Sequence, residues 1–216
     1  MPDRSALNEE LAAGLRQLAL PPSVALNAAQ LGTLLAYAEL LLRWNKAYNL
    51  IGRASEEDIV SRHLLDSLSA APYISGKRWL DVGCGAGLPG IPLAMALPDA
   101  HFTLLDSNGK KHRFVLQAKS TLALLNIEPL QQRAEEFDAT PLFDGIISRA
   151  FASLGKGIQS AGHLCAPGGK MCFMKGRINT EELREVRKPF TVQSCERLHV
   201  PGSSAERHLI ELRKSA

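Results

Sequence analysis

Long apolar runs are missing from this 216-residue chain. No stretch approaches the ~20 residues of a membrane span, and the N-terminus lacks a signal-peptide pattern. Both absences predict a cytoplasmic protein with no membrane partner. Cysteine is sparse: Cys84, Cys165, Cys172 and Cys195 are widely spaced and form no C-x-x-C. That spacing argues against a zinc knuckle or a disulfide framework and predicts reduced core residues and no metal site. Internal repeats and low-complexity linkers are absent too, and nothing demands more than a monomer. Strong charge is also lacking, with a formal net of only +3, but it is unevenly placed. Residues 1–70 carry six basic and eight acidic groups, a net of −2; residues 71–216 carry nineteen and fourteen, a net of +5. A mildly basic second part suits a polyanion, and a solvated surface would read the same way.

What is present divides the chain into a helical extension, 1–70, and an α/β domain, 71–216. Leu7, Leu11, Leu15 and Leu18 form one helical stripe, stopped by Pro21-Pro22; Leu31, Leu34, Leu35, Ala38, Leu41 and Leu42 form a longer one. Trp44, Asn45, Lys46, Tyr48 and Asn49 follow it. Ser55-Glu56-Glu57-Asp58 reads as the N-cap and acidic first turn of a third helix running to Leu68. On that helix Arg62, His63 and Asp66 have the spacing to meet on one face, as a structural ion pair or as a substrate contact.

From Arg78 onward strands alternate with helices. Strand runs lie at Trp79–Val82, Phe102–Leu105, Glu128–Gln132, Phe143–Ser148, Lys170–Met174, Val192–Leu198 and His208–Leu212. Helices are expected after the first four and around Glu181–Lys188. This is a doubly wound, mostly parallel sheet that should take ligands at the carboxyl ends of its strands. Val200-Pro201-Gly202-Ser203-Ser204 is too short for a crossover helix, so the last two strands should form an antiparallel hairpin.

Asp81-Val82-Gly83-Cys84-Gly85-Ala86-Gly87 directly follows the first strand run, and Asp106 ends the second. A strand opening into a glycine-rich turn, with an acid about 20 residues on, holds a ribose-bearing cofactor. The glycines Gly83, Gly85 and Gly87 permit positive φ and let the main chain touch the ligand. Asp106 can accept both hydroxyls of an unmodified ribose. Gly85-Ala86-Gly87-Leu88-Pro89-Gly90 also satisfies G-x-G-x-x-G, so NAD competes with S-adenosylmethionine for the site. Asp81 bears on the choice: a pyrophosphate offers nothing to an acid here, whereas the ammonium and sulfonium of the methyl donor are attracted by it, directly or through water.

Trp44-Asn45-Lys46-Ala47-Tyr48-Asn49-Leu50, Arg62-His63-Leu64-Leu65-Asp66-Ser67, Asp81 to Pro92, Leu104-Leu105-Asp106-Ser107, Ala134-Glu135-Glu136 and Ser148-Arg149-Ala150-Phe151 together resemble the bacterial RsmG family, formerly glucose-inhibited division protein B. The similarity runs in order from about Leu31 to Leu212. It implies a class I, Rossmann-like S-adenosylmethionine-dependent methyltransferase acting on N7 of guanine 527 in 16S rRNA of the small ribosomal subunit. The resemblance also implies cofactor contacts from Gly83, Leu88, Ala134, Glu135 and Arg149. Cys84 stands at a loop position that varies among such proteins.

Guanine N7 is an exposed lone pair without a proton, so attack on a methyl sulfonium needs no general base and positioning dominates. Arg149 is the positioning candidate, facing a guanine or phosphate; the alternative is an ion pair with Glu135 or Asp144. Enzymes that methylate exocyclic amines resemble Asn/Asp-Pro-Pro-aromatic where this chain has Ser148 to Phe151. Cytosine C5 chemistry would need a nucleophilic cysteine near the fourth strand or its following loop; the closest, Cys165, at the turn into the fifth strand, reads as packing. Lys110, Lys111, Arg113, Lys175, Arg177 and Arg207 are candidate phosphate contacts, each also readable as a solvated charge. Phe151 is either a stacking platform or core. An NAD-dependent oxidoreductase and a non-catalytic, methyl-donor-binding RNA module are the rival functions.

Overall fold

A computed structural model describes residues 3–18, 20–52, 58–149, 151 and 153–216. Seven strands form one sheet: β1 (Arg78–Val82), β2 (His101–Leu105), β3 (Ile127–Leu130), β4 (Phe143–Ser148), β5 (Cys165–Lys175), β6 (Phe190–Arg197) and β7 (His208–Lys214). Their order is β3-β2-β1-β4-β5-β7-β6. The first five are parallel, while β7 is antiparallel to both of its neighbours. The expected hairpin is therefore present.

The central strands are apolar because both faces are covered. Alternation along β1 sends Trp79 to one core and Leu80 and Val82 to the other; Ile146 and Ile147 of β4 divide the same way. The Trp79 face is covered by α1 (Arg4–Leu18), α2 (Ala28–Tyr48), the 60–68 segment, α4 (Gly90–Ala96) and α5 (Gly109–Thr121). On the opposite face lie α6 (Leu154–Ala161) and, through Leu183, α7 (Thr180–Glu185).

The two leucine stripes fold as expected. Leu7 and Leu11 of α1 and Leu34, Leu35, Ala38, Leu41 and Leu42 of α2 are buried in the core shared with the sheet. Asn27 and Gln30 form a reciprocal capping box at the start of α2. At its end Asn49 adopts a left-handed conformation, φ 50°, and the buried Asn45 Oδ1 accepts the Ile51 N–H at 2.7 Å. Trp44 packs on Tyr48 and edge-on against Phe114 of α5, with centroids 5.1 and 5.6 Å apart. The aromatic and amide residues after the stripe thus end α2 and dock it.

Several expectations need correction. The connection between β3 and β4 holds only a 3-10 turn, Ala134–Glu136, among the described residues. Its sequence lacks a helical stripe, and only Ala134, Phe137 and Ala139 reach the second core before Pro141. Helix α7 stops at Glu185 instead of reaching Lys188, whose helical conformation Pro189 disfavours. The third helix is π-helical over Val60–Leu65 and becomes α-helical only over Asp66–Leu68, α3. Its expected cap at Ser55, Glu56 and Glu57 lies outside the described residues. No described helix is long and apolar enough to cross a membrane.

Gly145 of β4 lies against Trp79, where a Cβ would come 2.4 Å from the indole ring. Gly145→Ala should therefore lower the unfolding free energy by about 1–3 kcal/mol, the usual range for overpacking. Urea denaturation measures it, and an unchanged midpoint would show that the ring yields freely.

Candidate active site

The carboxyl ends of β1 and β2 carry the glycine turn and Asp106. Gly83, Gly85 and Gly87 all have positive φ, at 69°, 59° and 85°, as the turn requires. The Gly83 and Cys84 N–H groups donate to the Leu105 carbonyl at 2.8 and 3.1 Å, so the turn lies over the end of β2. Asp106 faces it: Oδ2 accepts the Gly85 N–H at 2.9 Å and Oδ1 the Asn108 N–H at 2.8 Å. Lys111 Nζ stands 3.7 Å from Oδ2. Each carboxylate oxygen accepts more than one hydrogen bond, so Asp106 retains capacity for two ribose hydroxyls.

Beneath the turn Asp81 is wholly buried. Its Oδ2 accepts the Gly90 N–H at 2.8 Å, while Oδ1 has no partner among the described residues. Burial pushes this carboxyl up to about 7, against the opposing influence of the Gly90 N–H and Arg149. A buried, unpartnered acceptor oxygen is costly unless a ligand serves it. Tyr37 of α2, also fully buried, donates its hydroxyl to the Ala86 carbonyl at 2.7 Å. No sequence pattern marked Tyr37, whose place in the leucine-rich α2 reads as core.

A cleft of about 210 Å³ opens beside the turn, lined by Gly83, Asp106, Ala134, Glu135, Leu105 and Phe151 among others. Four of the sequence-predicted cofactor residues therefore meet in one crevice. Gly85 and Gly87 shape the turn, and Leu88 is packed in the core beneath it. Glu135 projects from the 3-10 turn, and its carboxylate accepts the Ser160 hydroxyl. That hydrogen bond holds it below the usual carboxylate range. Phe151 is half-buried on the cleft wall and packs edge-on against Phe173.

Arg149 turns the other way. Its Nη1 donates to Asp66 Oδ2 at 3.0 Å and to the Arg62 carbonyl at 3.2 Å, and its Nη2 lies 3.2 Å from His63 Nδ1. The expected partners Glu135 and Asp144 are not used: Asp144 instead accepts the Lys77 and Arg78 N–H groups where β1 begins. Nor does Arg62 pair with Asp66. Arg62 pairs instead with Asp58, four residues before it, at 2.7 Å, while Asp66 also receives Arg207 Nε at 3.0 Å.

The remaining basic candidates are scattered. Lys110 and Arg113 are exposed on α5, and Arg177 lies 3.6 Å from Glu206. Lys175 is tied to Glu182 at 2.6 Å. The buried thiols of Cys165 and Cys172 are pushed up to about 11 and 12, and Cys165 pairs with Phe143 at the opposite end of the sheet from the cleft. The packing role read for Cys165 holds. Among the described residues no group of His, Cys, Asp and Glu could hold a metal.

Sheet order, terminal hairpin and glycine turn define the Rossmann-like methyltransferase fold. Solved structures agree on this fold at 15–16% identity: 1,6-didemethyltoxoflavin-N1-methyltransferase of Burkholderia thailandensis (TM-score 0.57, 84% of this chain and 90% of that one) and the N-methyltransferase NodS of Bradyrhizobium japonicum (0.56, 84% and 98%). Both were solved with S-adenosylhomocysteine. The profile of the GidB family, rRNA small subunit methyltransferase G, matches residues 30–210, and this chain belongs to that family. It is 46% identical over 199 residues to ribosomal RNA small subunit methyltransferase G of Escherichia fergusonii, covering 92% of this chain and 96% of the relative. For the Salmonella typhimurium protein of the same name the values are 45% over 201 residues, 93% and 97%.

The buried Asp81 makes stability pH-dependent. Its folded value lies above the unfolded 3.8, so the native state holds a proton that the unfolded chain has released. Wild type should therefore lose stability relative to Asp81→Asn as pH rises from about 4 to about 7, by up to about 4 kcal/mol. Denaturation midpoints of the ligand-free proteins across that window test this. Parallel curves would mean that the carboxylate ionises freely in the fold.

Proposed function

We propose that this protein transfers the methyl group of S-adenosylmethionine to N7 of guanine 527 in 16S rRNA, in the cytoplasm and as a monomer. Family membership supports the broader activity, S-adenosylmethionine-dependent methylation of small-subunit rRNA. The observation that carries the reading is the glycine turn bonded to Asp106 above a buried acid with an unpartnered oxygen. These residues suit the methyl donor: an ammonium answers Asp81, and ribose hydroxyls answer Asp106. The nicotinamide reading of Gly85–Gly90 gives way to it.

When bound, S-adenosylmethionine supplies an electrophilic methyl group on a sulfonium. The chain's own residues then act by placement. Gly83, Gly85 and Gly87 let the backbone approach the ligand, and Asp106 orients the ribose. Leu105, Ala134 and Phe151 give the cleft an apolar wall beside the polar rim. No side chain has to take a proton, because N7 carries none at neutral pH. Catalysis on this reading rests on holding the lone pair and the methyl in line.

Label from tritiated methyl donor should enter unmethylated 16S rRNA, and mass spectrometry of the product should locate it on N7 of guanine 527. Label on another nucleotide, or none, rejects the assignment. Asp106→Ala should weaken S-adenosylhomocysteine binding about tenfold, the loss expected for hydrogen bonds to a charged acceptor. Unchanged affinity in calorimetry would remove Asp106 from the ribose.

A further inference from the structure

A second cavity, of about 350 Å³, lies beyond the ends of β4 and β5, between the sheet and the 60–68 segment. It is lined by Arg62, His63, Asp66, Arg149, Lys175 and Arg207, drawn from segments far apart in sequence. Two of the guanidiniums, Arg149 and Arg207, share one carboxylate, that of Asp66. Among the described residues, one positive charge in that group is thus left without a counter-charge. Asp66 is 2% exposed, so both arginines are anchored to a buried point and held in place before any ligand arrives. Arg207 uses Nε on Asp66 and Nη1 on the Glu206 carbonyl. Its Nη2 is a donor with no partner among the described residues.

His63 supplies an independent sign of a missing ligand. Arginine only donates, so His63 Nδ1 must accept from Arg149 Nη2, and the ring hydrogen therefore sits on Nε2. That atom is buried and has no partner among the described residues, although His63 lines the cavity. Burial and the adjacent guanidiniums of Arg149, Arg62 and Arg207 push the imidazole down to about 3, so the ring is a neutral donor at physiological pH.

We propose that this cavity is a phosphodiester subsite, in which Arg149 and Arg207, fixed by Asp66, grip the RNA backbone beside the target nucleotide. The inference rests on the RNA-methylation reading above and deepens it. Guanidinium forks suit phosphate oxygens, and a pre-anchored pair loses little side-chain freedom on binding. The site lies at the strand ends next to the methyl-donor cleft, and Arg149 joins β4 to the cavity. Asp66 is a positioning residue here, acting through the two arginines.

Arg207→Gln is the test, because Arg207 is partly exposed and its loss leaves Asp66 paired with Arg149. Filter binding of transcribed 16S rRNA to the full chain is measured over a range of KCl concentrations, with S-adenosylhomocysteine calorimetry in parallel. The expected result is an RNA affinity about tenfold weaker, a log–log salt slope smaller by about one, and unchanged S-adenosylhomocysteine affinity. Arg207→Lys should retain the slope. Unchanged RNA affinity and slope in Arg207→Gln would overturn the proposal. So would weakened S-adenosylhomocysteine binding with RNA binding intact, which would give the cavity to the cofactor's carboxylate. Reduced slope together with methylation at a nucleotide other than guanine 527 would uphold the subsite while rejecting the target.

Discussion

A single backbone turn, Gly83 to Gly87, is hydrogen-bonded to a phenol, a carboxylate and a strand carbonyl, and the cleft beside it takes its shape from this turn. Tyr37 fixes the Ala86 carbonyl, Asp106 fixes the Gly85 N–H, and the Leu105 carbonyl fixes the two N–H groups that open the turn. Each bond contributes only about 1 kcal/mol net to folding. Together they hold three positive-φ residues in one conformation, so the chain pays their ordering cost during folding and not on meeting a ligand. The opposite wall of the cleft is less tightly prescribed. It comes from a connection with one 3-10 turn and from Phe151, which is only half-buried.

Two buried acids show how surroundings decide what a carboxylate does. Asp81 meets one backbone N–H and is wholly buried, and the cost of burying its charge outweighs the help of the Gly90 N–H and Arg149, so its carboxyl is pushed up to about 7. Asp66 meets two guanidiniums, and the outcome is a fixed charged cluster joining the 60–68 segment to the ends of the sheet. Removing Asp66 from such a cluster would cost more than the interaction contributes, because two guanidiniums would be left without their shared carboxylate. Arg149, just past the end of β4, influences both acids.

Where periodicity and turn chemistry are local, the sequence was readable. The leucine stripes of α1 and α2, the seven strands and the antiparallel hairpin follow from apolar spacing and from a loop too short to cross over. Gly83, Asp106, Ala134 and Glu135 converge on one cleft, because a strand–turn–helix unit places its glycines and its acid by construction. The errors share a cause, which is geometry set from outside the segment. Helical spacing pairs Arg62 with Asp66 only if the winding is α, and over Val60–Leu65 it is π. Arg149 found its partner in a segment that no spacing rule connects to it. The missing helix before β4 was inferred from the alternation of its neighbours, though its own residues carry no stripe.

Tyr37 carries the least expected consequence. Its hydroxyl reaches a carbonyl 49 residues further along the chain, in the middle of the glycine turn beside the cleft. The helical extension is therefore part of the apparatus that aims the backbone, although no residue of α2 lines the cleft. Drift along the buried stripe of α2 is constrained twice, once by packing and once by the direction of that carbonyl. An altered tilt of this helix would reach the enzyme as a change in its grip on a small molecule, and a swap of extensions between distant relatives would have to preserve a phenol's aim as well as a shape.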